Sequence, residues 1–468
     1  MQRARPKLEF IAPDFNRFIL RFVQLSLPIF KRFRLQPWLP AGINNVETVN
    51  GETLVKLCQQ FQIGKIRLIL AFRHCEVDDP LIGQHLLSRS VPQIARQQGI
   101  SLQTPIHGHF MYDRGMTIWA GDWLGWLFSK MGGVPVHRGK NLDLQAIKRV
   151  RELLIDGKFP LVVAPEGATN GHSEIISPLE PGVAQLAFWC AEDLAKANRV
   201  ESVIVLPINI QYHYAKSEWS KLDRLLSNLE RDCGLAVQTI KITDTEKAIE
   251  LFYPRLLRLG KHLLIEMEQF YSHFYRYKLP DLSDLGQDSL TEEEKLTIRL
   301  QQLLDVALQA GESYFGLHKK GNIIERCRRL EEAGWNYIYR ENIAEFKNLS
   351  PLKRGLRDWI AAEADLRMSH MRLVESFVAV TGTYIKEKPS FERFAEISLI
   401  LFDAIARIKG QKNPRRPRLG WRNSRVTIGE PINISDRFSV YRESRQGAKR
   451  SVDRLTQELQ TALEAMIV

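Results

Sequence analysis

Three continuous apolar runs constrain this chain most: IRLILAF (66–72), PLVVAPEG (160–167) and SVIVLPINI (202–210). None alternates apolar with polar residues, so each needs cover on both faces, the pattern of buried parallel strands. The intervening segments 80–98, 142–156 and 181–198 have helical periodicity. Strand and helix in alternation predict an α/β fold, a mostly parallel sheet flanked by helices.

Residues 216–410 read differently, with long helical periodicity and few strand-like runs. Thr291 and Glu294 have capping-box spacing ahead of an amphipathic helix. Further helices are expected over 246–277, 321–334, 355–382 and 390–408. A strand signal, RVTIGEPINI (425–434), then returns before a last helix at 446–466. A lone strand does not stabilise itself. It is therefore expected to pair with the early sheet, which makes 216–420 a large helical insertion; the alternative is a separate C-terminal α+β unit. The expected organisation is 1–40 as N-terminal amphipathic membrane-interface helices, 41–215 as the α/β core, 216–420 as the insertion, and 421–468 as the closing strand and helix.

Residues 14–33 carry Phe15, Phe18, Ile19, Phe22 and Val23 at helical spacing, with Arg17 and Arg21 between them. Pro28 is expected to kink or end that helix. Large apolar groups flanked by cations suit a helix lying in a membrane interface; packing on the main domain is the alternative. The 66 Lys plus Arg exceed the 54 Asp plus Glu, for a net charge of +12, which favours an anionic partner. The stretch 408–425 has seven cations and no acid, and reads as a solvated loop or a contact for lipid headgroups. Nucleic acid is not an expected partner, because interleaved aromatic and basic motifs are missing. The five scattered cysteines exclude a disulfide framework and a CxxC zinc site. No run approaches the roughly 20 apolar residues of a membrane span, and no secretory signal is expected.

Polar clusters follow the apolar runs, where α/β folds place ligands, beyond the carboxyl ends of strands. The first is AFRHCEVDDP (71–80). His74 and Asp79 are five apart, about 140° apart on a regular helix, so they meet only if the chain bends between them. A strand ending near Phe72 and a helix starting near Asp79 and Pro80 supply the bend. A carboxylate on one imidazole nitrogen leaves the other as a base near neutral pH. The same pair also reads as a helix-capping Asp beside a packed His. In GGVPVHRGK (132–140), Arg138 and Lys140 are candidate phosphate ligands. In VVAPEGATNGH (162–172), Glu166 is a candidate for acceptor hydroxyls or for holding Arg138, with Gly167 and Thr169 beside it. Trp119, Trp123 and Trp126 share one face of an expected helix, as core packing or as the lining for an acyl chain.

Together and in this order, these clusters resemble the glycerolipid acyltransferase family, which includes lysophosphatidate and glycerol-3-phosphate acyltransferases. The family's His, four residues, Asp block corresponds to His74 and Asp79. Its Gly-to-Arg block corresponds to Gly132, Pro135, Val136 and Arg138. Its Phe-Pro-Glu-Gly-Thr-Arg-Ser block corresponds to Ala164 through Asn170, and its strand ending in proline to Val205-Leu206-Pro207. The closing Gly429-Glu430-Pro431-Ile432 is similar to that family's last strand. Arg73 stands where the family often has Asn, and Ala168-Thr169 where it has Thr-Arg, so one phosphate-binding guanidinium is missing.

The resemblance implies an acyltransferase with His74 as general base and Asp79 as its partner, and Arg138, Lys140, Glu166, Gly167 and Thr169 as substrate-binding residues. The implied donor is acyl-CoA or acyl-carrier protein, and the acceptor a lysophospholipid or glycerol-phosphate-like hydroxyl. Neither cofactor nor metal is implied, and the place is the cytoplasmic face of a membrane, held peripherally. A thioester hydrolase and a non-catalytic lipid-binding protein on the same scaffold are the alternatives.

Overall fold

The computed structural model describes residues 2–6, 8–33, 42–137, 143–237, 245–279, 290–340, 348–411 and 414–468. The chain divides into two compact units. One comprises Phe10–His137, Asp143–Lys216 and Gly420–Val468; the other comprises the described residues within 1–9 and 217–419. Among the described residues the strands are β1 (Arg5–Pro6), β2 (Ile43–Val49), β3 (Ile66–Phe72), β4 (His109–Asp113), β5 (Gly133–Val136), β6 (Leu161–Val163), β7 (Ser202–Tyr214), β8 (Tyr339–Arg340), β9 (Arg422–Ile428) and β10 (Ile432–Asn433).

The first unit is built on one sheet of order β2-β9-β7-β3-β6-β4-β5. Pairing is parallel throughout except where β9 and β10 run antiparallel to β7. The late strand signal therefore joins the early sheet, in two pieces separated by residues 429–431. β9 sits between β2 and β7, and β10 continues along β7 at Val205.

The continuous apolar runs have a direct cause. Ile69 and Ala71 of β3 enter one core, and Ile66, Leu68, Leu70 and Phe72 enter another on the opposite face. The first core is closed by the helices Leu144–Asp156, Gly182–Lys196 and Arg445–Glu464. The second is closed by the helix Gly51–Gln62 and by Asp79–His85, which continues through a π turn at Leu86–Ser90 into Val91–Gln97.

Three expectations change. The N-terminal helix α1 (Arg17–Arg32) does not end at Pro28 but continues past it. Proline leaves the carbonyl four residues earlier without its helical donor; here Arg89 donates to that oxygen, on Gln24, at 3.3 Å. The aromatic segment is two helices, Met116–Ala120 and Asp122–Lys130, broken at Gly121 with φ of 100°. Trp119 and Trp123 thus belong to different helices. Phe110, Tyr112 and Phe128 pack on one another, while Trp123 and Trp126 are exposed. The basic stretch 408–425 is not one loop. Lys409 and Arg416 pair with Asp232 and Asp403, and Arg422 opens β9 and pairs with Asp78.

The second unit is mainly helical, with α9 (Trp219–Asp232), α10 (Thr245–His273), α11 (Glu292–Phe315), α12 (Ile323–Ile338), α13 (Pro351–Phe377), α14 (Tyr384–Glu387) and α15 (Phe391–Ile408) in chain order. The Thr291/Glu294 capping box is formed. The N-terminal residues belong here: β1 pairs with β8, and Ala4 N–H donates to Asp358 Oδ1 at 2.9 Å. Among the described residues no helix is long and apolar enough to cross a membrane.

Candidate active site

β3 ends at Phe72, and the next helix begins at Asp79 with Pro80 in its first turn. The chain between them bends, and His74 Nδ1 comes to 3.1 Å from Asp79 Oδ2. The same carboxylate oxygen accepts the Glu76 backbone N–H at 2.8 Å, and Oδ1 accepts the Tyr212 hydroxyl at 2.5 Å. Asp79 therefore fixes the bend instead of capping its helix. Its side chain is 1% exposed and that of His74 27%. The carboxylate is locked in the interior while the imidazole reaches solvent, leaving Nε2 as the ring nitrogen Asp79 does not engage. Burial, then the Asp79 carboxylate, pushes the Tyr212 phenol well above its ordinary range, so it stays protonated and donates.

The loop after β6 comes next to this bend because β3 and β6 are parallel and end on the same side. Glu166, expected to meet acceptor hydroxyls or to hold Arg138, is buried. Its Oε1 accepts His74 N–H at 3.1 Å, and its Oε2 accepts Ser177 N–H at 3.2 Å. Burial raises its carboxyl above the ordinary range, against the pull of Arg73 and those two N–H groups. Gly167 has φ of 72°, and a Cβ there would stand 2.2 Å from Glu180 Oε1, so this turn requires glycine. Thr169 is exposed. Arg138 and Lys140 lie outside the described residues.

A protein-family model described as Acyltransferase matches residues 48–211. The chain carries an acyltransferase domain. The matched span runs from the end of β2 into β7 and includes His74, Asp79 and Glu166. Comparison with curated proteins finds no match.

Several groups around this bend had no role assigned to them from the sequence. Arg73 is fully buried. It donates to the carbonyls of His172, Ser173 and Ile175 at 2.9, 2.6 and 2.7 Å, and to Asn209 Oδ1 at 3.1 Å. A guanidinium with five donors in a planar fork thus gathers the 172–175 loop against β7. Asp78, also fully buried, pairs with Arg422, whose guanidinium lies over the Tyr212 ring at 4.7 Å from its centroid. Signals existed in the doubled Asp78-Asp79 and in the unusual Arg73, but the partners named here are 99 to 344 residues away in sequence. Cys75, adjacent to His74, is no nucleophile candidate. It is buried, and burial, followed by Asp79, raises its thiol well above the usual value.

Proposed function

We propose that the acyltransferase domain moves a fatty acyl group from acyl-CoA or acyl-carrier protein to a hydroxyl of a lysophospholipid or glycerol-phosphate-like acceptor, with His74 as general base. The observation that carries this reading is the contact between a solvent-reaching imidazole and a buried carboxylate at 3.1 Å. Asp79 holds the Nδ1–H tautomer and offsets the positive charge the ring gains. His74 Nε2 takes the acceptor hydroxyl's proton as that oxygen attacks the thioester carbonyl. The tetrahedral intermediate collapses, the C–S bond breaks, and the proton passes from Nε2 to the leaving thiolate. Glu166 and Arg73 act at one remove, by holding the backbone around His74. Arg138 and Lys140, just beyond β5, are the proposed ligands for an acceptor phosphate.

The same reading puts the protein on a membrane surface, held peripherally at its cytoplasmic face. Phe18, Phe22, Leu25 and Ile29 form one exposed stripe on α1, bordered by exposed Arg17, Arg21 and Arg32.

The test is to incubate purified protein with a labelled acyl thioester, as the CoA and carrier-protein forms, and a panel of lysophospholipids and glycerol phosphate. Acylated lipid is the expected product, and His74→Ala is expected to abolish it with an unchanged circular dichroism spectrum. Free fatty acid alone would replace transfer by hydrolysis. Wild-type turnover in His74→Ala would remove the base.

A further inference from the structure

Helices α10, α11, α13 and α15 of the helical unit enclose a cavity that the proposed chemistry does not use. Its atom-free space is about 960 Å³, counting the part that is open to solvent. The cavity follows α10 from Tyr253 to Met267, with contributors at steps of three and four residues, a single stripe of that helix. At 1.5 Å per residue this stripe is about 21 Å long, the reach of a long-chain alkyl group. Opposite it stand Leu296, Leu300 and Leu304 of α11 and Leu401 of α15.

The wall has no charged side chain. Of its two hydroxyl-bearing residues, Tyr253 donates to Glu293 Oε1 at 2.9 Å. The polar groups collect at that end: Lys386 Nζ also reaches Glu293 Oε1, at 3.2 Å, and Thr381 lies on the neighbouring rim. The remainder is aliphatic down to Met267. Leu257, Leu263, Leu296, Leu300 and Leu373 line this space yet are only half-buried. A polar ligand would find almost nothing to hydrogen-bond and would leave its own groups unsatisfied. An alkyl chain would cover those leucines and lose nothing.

We propose that this cavity binds the tail of a long-chain lipid, laid along α10 with its head at the Tyr253 end. The site is separate from the His74 dyad and does not depend on its chemistry. A free fatty acid, an acyl thioester and a lysophospholipid all carry such a tail, and competition separates them.

The full chain is titrated with a conjugated fatty acid whose fluorescence rises in apolar surroundings, below its micelle concentration. Because the dyad's own site would also take a tail, the reading is the equivalents lost on substitution. A Cβ at Gly260 meets no atom within 4 Å, so Gly260→Phe has room to project into the cavity without a clash, and the helix gains from losing glycine. Leu300→Gln is the second variant and puts an amide on the wall. The expected result is saturable binding by the wild type, with one equivalent lost, or weakened at least tenfold, in each folded variant. Oleate, an oleoyl thioester and an oleoyl lysophospholipid then compete, and the one that displaces the probe identifies the source of the tail. No saturable binding by the wild type, or unchanged stoichiometry and affinity in both variants, overturns the proposal.

Discussion

The Tyr212 hydroxyl lies 2.5 Å from Asp79 Oδ1, the carboxylate oxygen that His74 does not use. The two oxygens of one buried group are thus held by neighbouring elements, the bend after β3 and the far end of β7. Tyr212→Phe removes one donor to a buried anion while leaving the ring in place. A hydrogen bond to a charged group contributes about 1.5–3 kcal/mol. The variant is expected to lose stability on that scale, and its kcat is expected to fall about tenfold, some 1.4 kcal/mol in the barrier, with both KM values unchanged. Steady-state kinetics and thermal unfolding check this; an unaltered kcat would deny Tyr212 any part in positioning Asp79.

Asp78 is buried, with Arg422 as its cation. Removing one partner of a buried pair costs about 3–5 kcal/mol because a charge is left uncompensated. Arg422→Ala is expected to destabilise by that amount in urea unfolding and to lose most activity, since Asp78 immediately precedes Asp79. Neutralising both groups, Arg422→Met with Asp78→Asn, is expected to recover much of the stability. Equal losses in the single and double variants would mean that packing, not charge, explains the effect.

His107 supplies a pH dependence with a definite sign. Its ring is buried between Phe15 and Phe159. Its Nε2 lies 2.7 Å from the Met131 carbonyl, and Gln84 Nε2 lies 3.3 Å from its Nδ1, a pattern the neutral ring satisfies. Burial lowers its pKa from 6.5 to about 4. In that window the unfolded chain binds the proton and the folded one does not. The contribution is therefore complete above pH 6.5 and is lost as the pH falls through 4, amounting to roughly 3 kcal/mol at 1.36 kcal/mol per unit. The slope of Tm against pH between 6.5 and 4 should be shallower in His107→Gln; parallel slopes would show that His107 does not set it.

Phe18 and Phe22 are 86% and 66% exposed on α1. Surface changes usually alter stability by no more than about 0.5 kcal/mol, so Phe18→Ser with Phe22→Ser should leave Tm nearly unchanged. Co-sedimentation with vesicles containing anionic lipid is expected to drop at least fivefold. Undiminished partitioning would take α1 out of membrane docking.

The layered fold was legible because both cores of the sheet draw on the same strands. Ile69 faces one side and Leu70 the other, so the sequence shows an unbroken apolar run. The His74–Asp79 pair was legible as a conditional: two groups that meet only around a bend, where a strand signal ends and a helix start begins. What escaped was whatever depends on long-range register. Whether Tyr212 reaches Asp79 is decided by where β7 lies against β3, with Phe72 opposite Ile208, and by how far β7 extends past that point. The continuation of α1 through Pro28 escaped for a similar reason, since its substitute donor, Arg89, is 65 residues away.

The position of β9 has a consequence for biosynthesis. A ribosome working from the N-terminus finishes β2, β3 and β7 long before it reaches Arg422. Until then the seam between β2 and β7 stays open, two unpaired edges offer themselves to other chains, and Asp78 waits without its cation. The bend carrying His74 and Asp79 would therefore gain its Asp78–Arg422 brace only after the helical insertion has been made, and a chain stalled inside that insertion should be a client for chaperones rather than a finished sheet.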